Sequence, residues 1–167
     1  MSTIAHPLVA GWREPNARER LALLQRTRSI AMVGVSANAA RPSYFVATYL
    51  TSSSANYDVY FINPGASEIL GRPVYKTLAD LPVVPDMVDV FRKPDDLPAV
   101  VDEAIAIGAS SVWFQLGLWH AAAGATVVEA GLELVMDRCL KIEHARFHGG
   151  LHLAGFDTGV ISSRRRL

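Results

Sequence analysis

One cysteine in 167 residues, Cys139, excludes an intramolecular disulfide. No apolar run approaches the roughly 20 residues needed to cross a bilayer. The opening stretch, MSTIAHPLVAGWREP, has neither the basic start nor the unbroken apolar core of a secretory signal. A soluble, cytoplasmic protein without a membrane partner is therefore expected. Net charge is lacking too: 16 basic and 16 acidic side chains cancel, so no overall positive field gathers nucleic acid or anionic lipid. Any polyanionic ligand has to be gripped by a local site. No internal repeat, low-complexity linker or HExxH signature occurs.

What is there suits one sizeable core: half of the residues are hydrophobic and 19% are charged. Apolar runs of strand length alternate with segments of helical period. EPNARERLALLQRT (residues 14–27) predicts an amphipathic helix begun near Pro15, with Leu21, Leu24 and Arg28 on one side. SIAMVGVS is a first strand, SYFVATYLTSSS (43–54) a helix with Ser43 as its N-cap, and YDVYFINP a second strand stopped by Pro64. A short extended piece around Val74 and Tyr75 leads into a helical turn. DMVDVFR, SVWFQLG and LELVMDRC (132–139) read as three further strands; PDDLPAVVDEAIAIGA and HAAAGATVVEAG between them have helical spacing. Strands apolar enough to be covered on both faces imply an α/β fold, a Rossmann-type doubly wound and mainly parallel sheet with helices on both faces. Trp113 and Phe114 on a central strand are expected in its core.

Ligands of such sheets sit at the carboxyl ends of the strands. That singles out residues 34–43, Asn63 and Pro64, Arg92 and Lys93, residues 115–118 and residues 138–141. The first group belongs to SIAMVGVSANAARPS (29–43), a strand, a glycine turn and a helix start that keeps one of the three glycines of a dinucleotide loop. Gly34 allows a sharp turn, and the N–H groups of Val35, Ser36 and the following helix turn are expected to point outward with the helix dipole behind them. Arg41 adds a fixed charge for phosphate oxygens, Pro42 presets the helical start and Ser43 adds a hydroxyl. The plainer alternative is a tight strand-to-helix turn alone. The second strand ends in FINP, without the acid that takes the ribose hydroxyls of NAD; Asn63 tolerates a nucleotide carrying an additional phosphate on the ribose, while NPG is also a plain turn signal.

VGVSANAARPSYFVATYL, INPGASEILGRPVYKTLADLP, VDVFRKPDDLPAVVDEAIAIGASSVWFQLG and VMDRCLKIEHARF, in this order, closely resemble the stand-alone CoA-binding proteins. Their domain is similar to the CoA-binding domain of the succinyl-CoA ligase alpha subunit. The likeness runs from about Arg28 to Phe147, dividing the chain into an N-terminal segment and packing helix (1–28), the CoA-binding domain (29–147) and a tail (148–167). The resemblance implies coenzyme A as cofactor, its diphosphate on Gly34, Val35, Ser36, Arg41, Pro42 and Ser43, its adenosine near Asn63 and Pro64, and its pantetheine arm running past Phe91, Arg92 and Gln115.

The function expected is binding of CoA or an acyl-CoA, as a binding or regulatory protein without catalytic residues of its own. Ligases of the resembled type use a phosphorylated histidine in a second domain, and no such domain is expected here. An NAD(P)-linked oxidoreductase or a component of an acyl-CoA ligase is the alternative, and a homodimer or an unknown protein partner stays open. Of five histidines, His144, His148 and His152 are four apart, but Gly149 and Gly150 interrupt a shared helix face, so surface histidines are expected rather than a metal site. Reactive thiols occupy electropositive, partly exposed surroundings. Cys139, beside Arg138 and Lys141, is either such a thiol within reach of CoA's own or a core cysteine. SSRRRL reads as a solvated basic tail.

Overall fold

The computed structural model describes residues 5–52 and 54–148. Its elements are α1 Ala17–Arg26, β1 Ser29–Val33, α2 Pro42–Leu50, β2 Asp58–Ile62, β3 Glu68–Ile69, β4 Arg72–Tyr75, β5 Met87–Val90, α3 Leu97–Ile107, β6 Ser111–Phe114, α4 Ala121–Glu129, β7 Glu133–Val135 and α5 Leu140–His148. Seven strands form one sheet in the order β3-β4-β2-β1-β5-β6-β7. Every pairing is parallel except the β3–β4 hairpin at one edge. This is the expected doubly wound α/β fold. From β1 the chain winds outward through β2 and β4, then returns to the other side of β1 and winds out again through β5, β6 and β7. The direction reverses between β1 and β5, and the crevice opens there.

Alternate residues of the central strands feed two cores. Ala31, Val33, Val88, Val90, Val112 and Phe114 pack under α3 and α4 with Leu97, Val101 and Val127. Ile30, Met32, Met87, Trp113 and Val135 pack under α1, α2 and α5 with Leu24, Ala47, Leu50, Leu140 and Phe147. Trp113 and Phe114 are fully buried, one on each face, as their place on a central strand requires.

Several local expectations are corrected. Helix α1 starts later than Pro15: Asn16 caps it, accepting from the Glu19 amide while the Glu19 carboxylate accepts from the Asn16 amide. Its buried face is Ala17, Arg20, Leu23 and Leu24, with Leu21 partly buried against the same core; Arg20 goes inward, and Arg28, exposed, lies beyond the helix. Arg20 is tolerated there because its Nε donates to the buried Glu143 carboxylate of α5 at 2.9 Å. Ser43 lies within α2 rather than capping it; Arg41 holds the N-cap position. The stretch read as a strand over 132–139 pairs only to Val135. Asp137 then takes a left-handed conformation (φ 58°), and the chain turns into α5, a helix not foreseen. The two-residue strand β3 was also missed, being too short to show a period.

The N-terminal segment closes the β7 edge. Trp12 Nε1 donates to the Leu134 carbonyl at 3.1 Å, Trp119 Nε1 to the Pro7 carbonyl at 2.9 Å. His6 stacks on Trp119 with 4.2 Å between ring centroids and meets Asp137 Oδ2 at 2.9 Å. A sheet edge otherwise open to pairing is covered by these contacts. Among the described residues, no helix is long and apolar enough to cross a membrane.

Candidate functional site

Three strand ends lie side by side at the reversal point. Gly34 follows β1, Phe91 follows β5 and Gln115 follows β6. The ladder runs on through them: Phe91 N donates to the Val33 carbonyl at 2.8 Å and Gln115 N to the Val90 carbonyl at 3.4 Å. They floor a cavity of about 710 Å³, within the range of small-molecule and cofactor sites.

Gly34 has φ +90°, and a Cβ there would meet the Phe91 carbonyl oxygen at 2.2 Å. The glycine is thus required by a neighbouring strand end as well as by the turn. Beyond it the loop is tied by its own side chains. The Ser36 amide donates to Ser43 Oγ, the Asn38 amide to Ser36 Oγ and the Ala40 amide to Asn38 Oδ1, each at 3.0 Å. The Ser36 N–H expected to face outward is therefore spent inside the loop, and Ser43, 5% exposed, is the post that holds it. What the loop turns toward the cavity is the Ser36 and Ser43 side of the turn together with Arg41 and Pro42 at the start of α2. Arg92 and Lys93 bring two more cations to the wall; Arg92 Nε donates to Asp96 Oδ2 at 3.3 Å, a pairing that leaves the guanidinium on the rim.

The rest of the wall is apolar: Val46, Phe91, Leu116, Leu118 and Ile142, with half-buried Cys139 among them. Leu116 is 66% exposed and Ile142 44%, so this end opens to solvent through hydrophobic side chains. Cys139 precedes α5, and its carbonyl accepts the Glu143 amide at 3.0 Å. The cavity is therefore lined by the cations Arg41, Arg92 and Lys93 and by apolar side chains from α2, α5 and the ends of β5 and β6.

Eight of the sequence-derived residues are brought together: Gly34, Ser36, Arg41, Pro42, Ser43, Phe91, Arg92 and Gln115 all line this cavity. Val35, Asn63 and Pro64 stand outside its lining. The Val35 side chain is fully buried in the core under α2. Asn63 Nδ2 donates to the Val35 carbonyl at 2.8 Å, and its Oδ1 accepts the Gly65 amide at 2.8 Å, so Asn63 fastens the end of β2 to the loop. Val46 and Ile142 were not foreseen. Val46 follows Pro42 by one helical turn and was legible from that spacing; Ile142 was hidden with α5. Of the spaced histidines, His144 is 4% exposed and its Nδ1 lies 2.7 Å from the Tyr49 hydroxyl. The His148 side chain, His152 and the basic SSRRRL tail lie outside the described residues.

One buried group was overlooked. Asp89, on β5 one row beneath the cavity floor, is fully buried between Met32 of β1 and Trp113 of β6. Gln115 Nε2 donates to its Oδ1 at 2.5 Å, and Oδ2 has no partner among the described residues. Burial pushes this carboxyl up to about 8, the Gln115 hydrogen bond pulling only partly against it. An acid inside the apolar run MVDV was the available signal.

Fold and cavity together define a class, a doubly wound α/β protein with a nucleotide-type crevice at its reversal point. The family is narrower. The CoA binding domain family matches residues 28–145, and the chain belongs to it. An uncharacterized protein of Bacillus subtilis (strain 168), YneT, is 33% identical over 133 residues, which are 80% of this chain and 97% of that protein. A hypothetical protein from Pyrococcus horikoshii OT3 has a similar structure, with 35% identity, a TM-score of 0.76, and coverage of 87% of this chain and 100% of that one. The dinucleotide-forming acetyl-coenzyme A synthetase 1 of Ca. Korarchaeum cryptofilum shares the fold at 22% identity and TM-score 0.56, the match covering 64% of this chain and 25% of that one.

Proposed function

We propose that this protein binds coenzyme A or an acyl-CoA in the crevice between β1 and β5, as a binding or regulatory protein rather than a complete enzyme. The observation that carries the reading is one cavity lined both by cations (Arg41, Arg92, Lys93) and by apolar side chains (Phe91, Leu116, Leu118, Ile142). CoA has groups for both: phosphates at one end, a pantetheine arm and thiol at the other. In this reading Arg41, Ser36 and the α2 start receive the diphosphate, and the pantetheine passes Phe91 and Gln115 so that the thiol ends near Cys139. The adenosine lies toward Asn63 and Pro64, outside the cavity proper. Residues 29–147 form the binding unit, and the N-terminal segment closes its β7 edge.

Two features bear on the alternatives. His120 caps α4, accepting the Ala123 amide at Nδ1, while His6 and His144 are engaged with Asp137 and Tyr49 away from the cavity lining. Asn63 stands where an NAD-linked enzyme places an acid, which disfavours that alternative.

A thermal-shift panel of CoA, acetyl-CoA, dephospho-CoA, NAD and NADP tests the reading. At about 100 times its dissociation constant, CoA should add about 2.7 kcal/mol to folding stability, and NAD at the same concentration little. A shift with NAD and none with CoA overturns it.

A further inference from the structure

Gln115 is a wall residue of the cavity, yet it is almost fully buried, at 4% exposure, and both ends of its carboxamide are engaged. At one end Nε2 donates to Asp89 Oδ1 at 2.5 Å; at the other Oε1 accepts the backbone N–H of Leu140 at 3.4 Å. These two partners define which end is which. A backbone N–H only donates, so the oxygen has to face Leu140, and the nitrogen has to face the acid. The contact to Leu140 is long and occupies at most one lone pair of a carbonyl that accepts two hydrogen bonds. Leu140 leaves the other lone pair unaccounted for, and Gln115 lines the cavity together with Phe91 and Cys139.

Asp89 itself cannot reach a ligand. It lies one row down the sheet, flanked by Met32 and Trp113, and does not line the cavity. Burying an acid in an apolar core is unfavourable unless it is hydrogen-bonded, and among the described residues the side chain that bonds to it is Gln115.

We infer that Asp89 is a positioning residue: it holds the Gln115 nitrogen away from the ligand, so that the cavity offers a hydrogen-bond acceptor at this point and selects a ligand arm carrying an amide N–H. The inference rests on the CoA reading, since pantetheine is an arm with secondary amides. It goes beyond that reading by assigning the polarity of the contact and the buried residue that sets it. Without Asp89 only the long Leu140 contact distinguishes the two ends of the carboxamide, and either group can turn toward the cavity.

The test measures calorimetric affinities of CoA and of adenosine 3′,5′-bisphosphate, which lacks the arm, for wild type, Asp89→Asn, Asp89→Leu, Gln115→Met and the double variant Asp89→Leu/Gln115→Met. Asp89→Asn still presents an acceptor to Nε2 and should keep wild-type affinity for CoA. Asp89→Leu and Gln115→Met should each lose about tenfold for CoA, the worth of one neutral hydrogen bond, and leave the bisphosphate unchanged. The double variant should lose no more than Gln115→Met alone, because Asp89 acts through Gln115. CoA affinity within about twofold of wild type in Asp89→Leu, or independent losses that multiply in the double variant, overturns the assignment while leaving CoA binding intact. Wild type that binds neither ligand overturns the CoA reading itself, and this inference with it. If Asp89→Leu does not fold, the Gln115 carboxamide protons of ¹⁵N-labelled wild type decide. Their protection from exchange should persist when CoA binds; its loss would mean that the nitrogen has swung to the ligand, against the inference.

Discussion

The Gly34 Cα points at the Phe91 carbonyl: a methyl group placed there would stand 2.2 Å from that oxygen and 2.9 Å from Arg92 Cδ. Two adjacent strand ends are thereby locked at a spacing only glycine permits, and both border the cavity. Gly34→Ala has to move the β5 end or abandon its positive φ. A loss on the order of 3 kcal/mol in urea unfolding is expected, with CoA affinity falling in whatever fraction remains folded. Wild-type stability in this variant would mean that the β1 and β5 ends can separate freely.

Arg41 is exposed at the N-cap of α2 and no part of the core depends on it. Arg41→Ala should weaken CoA binding by roughly tenfold through loss of a charge-assisted phosphate contact, with an unfolding midpoint unchanged within error. Lys in its place should recover only part of the affinity, since it lacks the planar fork. Titration calorimetry with CoA checks both; equal affinities for all three proteins would remove Arg41 from the site.

Arg20 and Glu143 join α1 to α5 inside the protein, at 8% and 3% side-chain exposure. Arg20→Ala leaves the carboxylate with Arg138, 3.4 Å away, as a weaker partner. A destabilisation of about 3 kcal/mol is expected. Because α5 carries Ile142 at the cavity and the Leu140 N–H that donates to Gln115, CoA affinity should fall too. Chemical denaturation with and without CoA separates the two effects.

Asp89 makes stability depend on pH. From its usual 3.8 this carboxyl is raised to about 8 by burial. Between those values the unfolded chain has released the proton and the folded chain keeps it. The folded state then binds more protons, so stability is greatest below the unfolded value, falls as pH rises through the window, and levels off above about 8. Asp89→Asn, neutral throughout, should lack this fall and gain on wild type by on the order of 1 kcal/mol per pH unit. Urea unfolding of both proteins at several pH values across the window reads the difference directly; parallel curves would mean that Asp89 ionises as it does in water.

Cys139 borders the same cavity as Arg41 and Gln115. If the CoA thiol ends there, CoA disulfide should exchange with it: the cysteine sulfur bonds to one CoA sulfur, the CoA–CoA disulfide breaks, and the second CoA leaves as free thiol. Intact mass spectrometry should show one CoA adduct, absent in Cys139→Ser and removed by dithiothreitol. An unmodified protein, under conditions that label a free peptide thiol, would mean that the arm ends elsewhere.

The alternation of apolar strands with helical segments was legible residue by residue, because strand and helix periods are local. It was enough to specify a doubly wound sheet, its loops at the carboxyl ends, and seven of the eight residues that meet in one cavity, the eighth, Phe91, coming from the family resemblance. What the sequence left undecided were matters of distance along the chain. Residues 136–139, which lead into α5, were read as the end of a strand because the turn at Asp137 is held by the Gly117 amide donating to its carboxylate at 2.7 Å, a contact twenty residues away in sequence. The inward turn of Arg20 depends on Glu143, and the need for glycine at position 34 depends on the Phe91 carbonyl. Asp89 looked like one polar residue in an apolar strand; only the register of β5 against β6 sets Gln115 over it and ties a buried acid to the cavity wall. Local backbone and hydrophobic preferences act over a few residues and can be read in order, whereas burial, register and hydrogen-bond partners are set by segments that meet only once the chain has folded.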